Sequence, residues 1–316
     1  MINRALVTGG AGFIGSHLVR KLIANGTEVH ILVDVNHDIS RLDYVIRKIK
    51  LHKVTNWKEL ELRGILHAIN PEAIFHLRAA INNDPSAKEN SIYKINFEDT
   101  KQLVEATSRL PSLASFIYTG TIAEYGGAPA PFREDGQALP ISDYGRSKLA
   151  TTKWLQESYR SKNFPVTILR LSVVYGPWQK LHLLIPRVIM SCLKKQDFYI
   201  NSFGAQTRDP LFAEDAVDGF LLAASSKNAY GKILNFGLGK EHAILDIANM
   251  INNLLDQPIK ILTKGEPNCV GESDHYWHDI EKAKNILGWI PKISLEEGLK
   301  RTVAWYEANQ DIFKVL

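Results

Sequence analysis

Cysteine is nearly missing from this 316-residue sequence, which contains only Cys192 and Cys269. Two thiols so far apart offer neither a disulfide framework nor a metal-ligand spacing, and they fit a reducing, cytoplasmic compartment. Long apolar runs are missing as well. None approaches the roughly 18 residues of a membrane span. The first residues run directly into a strand pattern, with no basic segment and cleavage site, so no secretory signal is expected. Charge of one sign is also scarce: 38 Lys and Arg face 34 Asp and Glu, a net charge of +4. The locally basic stretch Arg47–Lys53 has no interleaved aromatics, which argues against nucleic acid and for a solvated surface. The mild positive charge would still help attract an anionic substrate. With 45% hydrophobic and 23% charged residues, the chain has an ordinary globular composition. Its length suits two domains or one large α/β unit with an appendage.

What is present is a regular alternation of apolar runs and helical periodicity. Ala5–Val7, Val29–Val33, Ala73–Leu77, Phe116–Thr119 and Val166–Leu171 read as strands. Helices are expected from Gly12 to Asn25, where Gly26 ends the first, and over Ser91–Arg109 and Tyr144–Lys162. Near-continuous apolar strands alternating with helices predict a parallel, doubly wound α/β sheet of the Rossmann type. Such sheets bind ligands at the carboxyl ends of their strands. Beyond Leu171 the pattern loosens. Helices are expected over Ile185–Lys195, Glu214–Ser225, His242–Leu255 and Leu295–Asn309, with Ile233–Phe236 returning to the main sheet. The expected division is a dinucleotide-binding domain from 1–172 and 209–239, interleaved with a smaller substrate domain from 173–208 and 240–316.

The first helix opens in Gly9-x-x-Gly12-x-x-Gly15, directly after a strand, the context a dinucleotide fingerprint requires. Gly9 and Gly12 let the chain turn and let a pyrophosphate approach the backbone. Gly15 lets helix and strand pack closely, and the helix N-terminus presents free N–H groups. A glycine turn without a ligand is the alternative, and the complete strand–turn–helix–strand order argues against it. The end of the second strand normally selects the cofactor. Here Val33 stands where an acid often sits and Asp34 follows. Asp34 would repel a 2′-phosphate, which favours NAD over NADP; Arg41 and Arg47 read as loop residues more than as phosphate ligands.

Tyr144 and Lys148, four positions apart, share a helix face. A nearby ammonium favours phenolate, lowering the tyrosine pKa toward working pH and making Tyr144 a candidate general acid and base. Lys148 can also bond the nicotinamide ribose. A tyrosine and lysine at this spacing arise often by chance. The pair gains weight from Thr121, which follows the strand Phe116–Thr119 at the ligand-binding edge and can bond the same substrate oxygen.

Seven segments resemble the extended short-chain dehydrogenase/reductase family in its nucleotide-sugar epimerase/dehydratase branch. They are Thr8–Leu18 (TGGAGFIGSHL), Ile74–Ala80 (IFHLRAA), Phe116–Gly126 (FIYTGTIAEYG), Tyr144–Lys148 (YGRSK), Leu169–Pro177 (LRLSVVYGP), Gly204–Val217 (GAQTRDPLFAEDAV) and Asp279–Pro291 (DIEKAKNILGWIP). The resemblance implies a catalytic triad of Thr121, Tyr144 and Lys148. It implies that Gly9, Gly12, Phe13, Ile14 and Gly15 hold NAD or NADP, that Leu77, Ala79 and Pro177 line it, and that Arg208 grips the diphosphate of a nucleotide sugar. An ion pair of Arg208 with Asp209 or Asp215 is the structural alternative. A homodimer is common in the family.

Departures narrow the chemistry. Dehydratases of the family carry an Asp-Glu pair after the threonine, and decarboxylases a glutamate at the second position. Here Ile122 and Ala123 stand there, and neither transfers a proton. Glu124 is adjacent, but strand-like alternation would turn it away. The resemblance then implies C4 chemistry through a 4-keto species, by a 4-epimerase or a 4-ketoreductase. A reductase of non-sugar carbonyls and a non-catalytic dinucleotide-binding regulator are the rival readings. Further departures are Val173 in place of an asparagine, Thr55-Asn56-Trp57 in place of an acid near the adenine, and Arg78 in place of alanine. A late arginine is also missing, with Lys264 or His275 as substitutes. His76 reads as a core histidine and Trp178 as a packing residue near the cleft.

Overall fold

Strands that are apolar on both faces must be covered on both faces, and that requirement organises the chain. A computed structural model describes residues 2–81, 91–107, 110–256, 258–266 and 274–310. Its main sheet contains β1 (Arg4–Thr8), β2 (Glu28–Asp34), β3 (Ile49–Val54), β4 (Ala73–His76), β5 (Ser115–Thr121) and β6 (Val166–Leu171). Three short strand pairs lie outside it: β7 (Val173–Tyr175) with β10 (Pro210–Phe212), β8 (Phe198–Ile200) with β13 (Ile261–Thr263), and β9 (Thr207–Arg208) with β12 (His242–Ala243). The seventh strand of the main sheet is β11 (Ile233–Phe236), which returns beside β6 as expected. The order is β11-β6-β5-β4-β1-β2-β3, parallel throughout.

Helices α1 (Phe13–Ala24), α7 (Ala213–Ala224) and α9 (Glu281–Leu287) cover one face, where Val7, Leu18, Phe75, Phe220 and Phe236 share a core. On the other, α2 (Glu59–Ile69), α4 (Asp99–Ala106) and α5 (Asp143–Lys162) pack over Leu6, Leu66, Phe116 and Leu155. A third core, around Tyr175, Val188, Phe212 and Tyr306, gathers α6 (Leu184–Leu193), α8 (Ile244–Asn253) and α10 (Leu295–Ala308). Doubly wound α/β architecture is thus the observed fold. Among the described residues no helix is long and apolar enough to cross a membrane.

Three local expectations need correction. Within the stretch read as solvated basic surface, residues 49–54 form the edge strand β3. Lys50 is exposed there, while Ile49 and Leu51 pack on one core and Val54 on the other. Charge on an edge strand hides the apolar signal and also discourages edge-to-edge pairing. The single helix expected over Ser91–Arg109 is α3 (Ser91–Tyr93), a π-helical turn Lys94–Glu98, and α4; Arg109 lies outside the described residues. The helix expected from His242 begins at Ile244, because His242 and Ala243 pair with Arg208 and Thr207. Of the cysteines, Cys192 is a buried free thiol, and Cys269 lies outside the described residues.

Trp289 ties the C-terminal segment to the main sheet. It is buried, its ring centroid lies 4.2 Å from that of Phe236, and its Nε1 donates to the Asp215 carbonyl at 3.0 Å. Trp289→Ala is expected to lower stability by about 3–5 kcal/mol in urea unfolding, since it leaves a cavity where two elements meet. A loss below ~1 kcal/mol would contradict this placement.

Candidate active site

The glycine turn is held by backbone contacts that no side chain could replace. Gly9 has φ +69°, and a Cβ there would lie 2.7 Å from the Arg78 nitrogen; a Cβ on Gly15 would lie 2.1 Å from the Gly9 oxygen. The turn therefore presses against the chain leaving β4. Helix α1 starts after Gly12, which supplies no side-chain cap, so the first-turn N–H groups face outward for an anion. This cradle fits the pyrophosphate of a dinucleotide. Leu77 and Ala79 lie just beyond β4, and Leu77 N–H donates to the Thr8 carbonyl at 3.0 Å. The Pro177 carbonyl accepts from His17 Nε2 at 2.9 Å, which joins the loop after β7 to α1.

Asp34 ends β2, as a ribose ligand would, but its carboxylate is already engaged. Trp57 Nε1 donates to Oδ1 at 2.6 Å, and Arg78 donates from Nε to Oδ2 and from Nη2 to Oδ1, both at 3.2 Å. Desolvation raises the Asp34 pKa, yet the Arg78 bonds and charge, with the Trp57 bond, outweigh it and leave the group below its ordinary value. The Asp34 carboxylate expected to meet the cofactor thus also has partners within the protein. Arg41 donates to the Trp178 carbonyl at 3.2 Å, which places it as a loop contact. Trp178 itself packs against Trp305, with ring centroids 4.9 Å apart and the planes tilted by 50°.

Thr121, Tyr144 and Lys148 meet at the carboxyl edge of the sheet. Thr121 ends β5 and Tyr144 lies in the first turn of α5, whose N-cap Ser142 accepts from Gly145 N–H at 3.0 Å. The side chains of Thr121 and Tyr144 are hydrogen-bonded to each other. Burial pushes the Tyr144 hydroxyl up to about 12, against the lowering effect of the Thr121 bond. Lys148 does not supply the lowering expected of it, and the Glu124 charge adds to the rise; the Lys148 Nζ sits 4.2 Å from the Tyr118 ring centroid, and burial pushes its own pKa down to about 8.

Glu124 is kept from the reaction centre, for a different reason than strand alternation. Thr121 caps a single 3-10 turn, Ile122–Glu124, and the two form a capping box: Thr121 Oγ1 accepts from Ala123 N–H at 3.2 Å, and Glu124 Oε1 accepts from Thr121 N–H at 3.1 Å. The carboxylate is fully buried and paired with Arg170 Nη2 at 2.8 Å. A Cβ on Gly120 would come within 2.8 Å of Glu124 Oε1, so glycine makes room for the pair. The spacing Thr121-x-x-Glu124 is a capping-box signature and was the available signal for this contact. A second missed contact is Asn96 in the π-helical turn. Its side chain bonds both backbone polar groups of Ala80 and the Ser147 hydroxyl, tying the β4 loop to α5.

Arg208 Nη1 donates to the Thr207 carbonyl at 2.7 Å, and its guanidinium lies 5.3 Å from the Tyr276 ring centroid. The two carboxylates suggested as its structural partners are satisfied by backbone. Asp209 accepts from the N–H groups of Leu238, Gly239 and His278, and Asp215 from those of Lys292 and Ile293. His275 bonds Glu241 at 2.8 Å, and Lys264 is exposed. His76 is a satisfied core histidine, placed between Thr8 at 2.7 Å and Thr100 at 2.8 Å.

Residues 5–237 match the family model described as the NAD dependent epimerase/dehydratase family. The chain is 31% identical to UDP-N-acetyl-alpha-D-glucosaminuronate decarboxylase of Bacillus cytotoxicus, over 97% of this chain and 98% of the relative. A solved UDP-glucose 4-epimerase of Thermotoga maritima, with UDP-glucose, superposes with a TM-score of 0.88 at 29% identity, covering 97% of this chain and 99% of the other. UDP-glucuronic acid 4-epimerase of Bacillus cereus, in complex with UDP-glucuronic acid and NAD, gives 0.84 at 28% identity over 96% and 99%.

The Glu124–Arg170 pair carries a stability test. Arg170→Met strands a buried carboxylate and is expected to cost about 3–5 kcal/mol. The double variant Glu124→Gln/Arg170→Met should recover at least half of that loss in the same unfolding assay, because the stranded charge is gone. No recovery would mean that packing by the Arg170 stem, and not charge, holds this corner.

Proposed function

Because the chain belongs to the NAD-dependent epimerase/dehydratase family, we propose that it is a nucleotide-sugar oxidoreductase acting at sugar C4, as a 4-epimerase or a 4-ketoreductase. The observation that carries this reading is the Thr121–Tyr144 pair beside buried Lys148, with Ile122 and Ala123 next to it and Glu124 committed to Arg170. The site offers an acid and base for one oxygen and, among the described residues at the two positions after Thr121, no carboxylate for a second proton transfer at C5 or C6. For that reason the likeness to a decarboxylase does not carry decarboxylation to this chain.

NAD is the cofactor, and when bound it supplies the acceptor and donor of a hydride at C4. Gly9, Gly12, Phe13, Ile14 and Gly15 would hold its pyrophosphate, with Leu77, Ala79 and Pro177 along its length. Thr121 hydrogen-bonds the C4 oxygen and Tyr144 moves its proton. During oxidation Tyr144 would have to enter as the phenolate, taking the hydroxyl proton as the hydride leaves C4 and giving the 4-keto sugar. During reduction Tyr144 returns the proton to the carbonyl oxygen. A hydroxyl pushed up to about 12 is protonated at rest, which suits donation to a 4-keto oxygen. The reverse transfer needs a cation to stabilise the phenolate, and Lys148 is that cation. Arg208 is assigned to the diphosphate, whose oxygens a guanidinium can grip in fork geometry. An epimerase would return the hydride to the opposite face. A ketoreductase would perform the return alone, with reduced nicotinamide taken from solution.

Two measurements test the reading. Purified protein is incubated with nucleotide-diphosphate sugars and their 4-keto forms, with and without reduced cofactor. Conversion of a 4-hydroxy sugar without added reductant identifies the epimerase, and consumption of reduced cofactor dependent on a 4-keto sugar identifies the reductase. In whichever assay turns over, Tyr144→Phe should lower kcat by about 10²–10⁴-fold, and full activity in that variant refutes the mechanism. The second measurement is the pH dependence of single-turnover C4 oxidation, read from reduced-nicotinamide absorbance. The Lys148 pKa, lowered by burial to about 8, makes the cation complete below that pH and lost above it. The oxidation rate should therefore fall as pH rises through about 8, and Lys148→Arg should remove that fall, since guanidinium stays charged.

A further inference from the structure

Arg78 stands between two carboxylates at the adenosine end of the cofactor crevice. Besides its two bonds to Asp34, it donates from Nη1 to Asp99 Oδ2 at 2.9 Å, and its guanidinium carbon lies 4.0 Å from the Trp57 ring centroid. Lys94 Nζ reaches the other Asp99 oxygen at 2.9 Å. Asp34, Arg78, Asp99 and Lys94 thus form a chain of four charges that sums to zero. They line an open cleft with Trp57 beside the end of β2. The Arg78 backbone is the same segment that Gly9 presses against, so this side chain leaves the main chain at the edge of the dinucleotide cradle.

This arrangement changes what Asp34 does. A solitary carboxylate at the end of β2 accepts ribose hydroxyls and repels a 2′-phosphate. Here three acceptor positions of Asp34 are taken by Trp57 and Arg78, and the charge is matched at close range. Arg78 spends three of its five N–H donors on Asp34 and Asp99, leaving donors in the fork that suits phosphate. We propose that Arg78 is a specificity-determining residue that screens Asp34 and gives the cofactor site affinity for dinucleotides carrying a 2′-phosphate as well as for NAD. The inference concerns the cofactor alone and rests on family membership, not on the C4 assignment. Asp99 and Trp57 act as positioning residues, holding the guanidinium flat against the indole and toward Asp34.

The test is equilibrium binding to ligand-stripped, full-length protein, with NAD and NADP titrated separately by calorimetry. The wild type should bind NADP within about thirtyfold of NAD. Arg78→Ala exposes the Asp34 charge and should weaken NADP relative to NAD by at least about tenfold. Asp34→Asn, which removes the charge and keeps the shape, should shift the ratio toward NADP and serves if Arg78→Ala fails to fold. Adenosine 2′,5′-bisphosphate against AMP should show the same changes, locating them at the 2′ position. A wild type that prefers NAD by more than about thirtyfold, or variants that leave the ratio unmoved, overturns the proposal. Either failure leaves the C4 chemistry standing, and absent sugar turnover would leave this binding result standing.

Discussion

The approach of Gly15 to the Gly9 carbonyl is the contact on which the rest of the site depends. It seats α1 directly on the end of β1, so that the first helical N–H groups point along the sheet's carboxyl edge. Gly9 in turn lies against the backbone of Leu77 and Arg78. One close-packed turn therefore sets the pyrophosphate cradle, the height of the β4 loop and the starting point of the Arg78 side chain together. Any side chain at these glycines would push β1, α1 and the β4 loop apart by more than their packing could absorb.

Where β5 meets α5, the candidate site is governed by desolvation. Lys148 is buried and Tyr144 half-buried before any ligand arrives, and desolvation drives their pKa values in opposite senses, up to about 12 for Tyr144 and down to about 8 for Lys148. Both shifts favour the neutral forms. The Glu124 charge opposes the shift of Lys148 and adds to that of Tyr144, so it moderates the first group and accentuates the second, while the Glu124 side chain fixes Thr121 through the capping box. In the mechanism proposed for this site, Glu124 and Arg170 position Thr121 and take no part in proton transfer themselves.

How far the sequence disclosed this follows from the range of each interaction. The parallel strands were legible because burial on both faces leaves continuous apolar runs such as Val166–Leu171, and the glycine turn because its spacing is mechanical. Tyr144 and Lys148 were legible through their shared helix face. Strand β3 was not, since an edge strand mixes Lys50 and Lys53 with its apolar residues. The titration of Tyr144 was misjudged for a related reason. Helical spacing shows that a lysine is near, but the depth at which both groups lie, and the Tyr118 ring that takes up the ammonium, come from other strands. Arg78 registered only as an odd residue in place of alanine, because its partners Asp34, Trp57 and Asp99 come from three separate elements.

The two arginine–carboxylate clusters differ in what they leave accessible. Glu124 and Arg170 are almost wholly buried, with side-chain exposures of 0% and 3%. At such depth a pair of charges serves geometry, because neither can meet a ligand. Asp34 is 44% exposed and Arg78 14%, beside an open cleft. Charges matched at that depth are still within reach of solvent and of an arriving nucleotide. In the role proposed for Arg78, their pairing acts on recognition by removing the repulsion that a bare Asp34 would exert on a 2′-phosphate. The ambiguity between Val33 and Asp34 in the sequence thus has a physical counterpart. The selecting charge is present, but a residue more than forty positions away sets how much of it a cofactor meets.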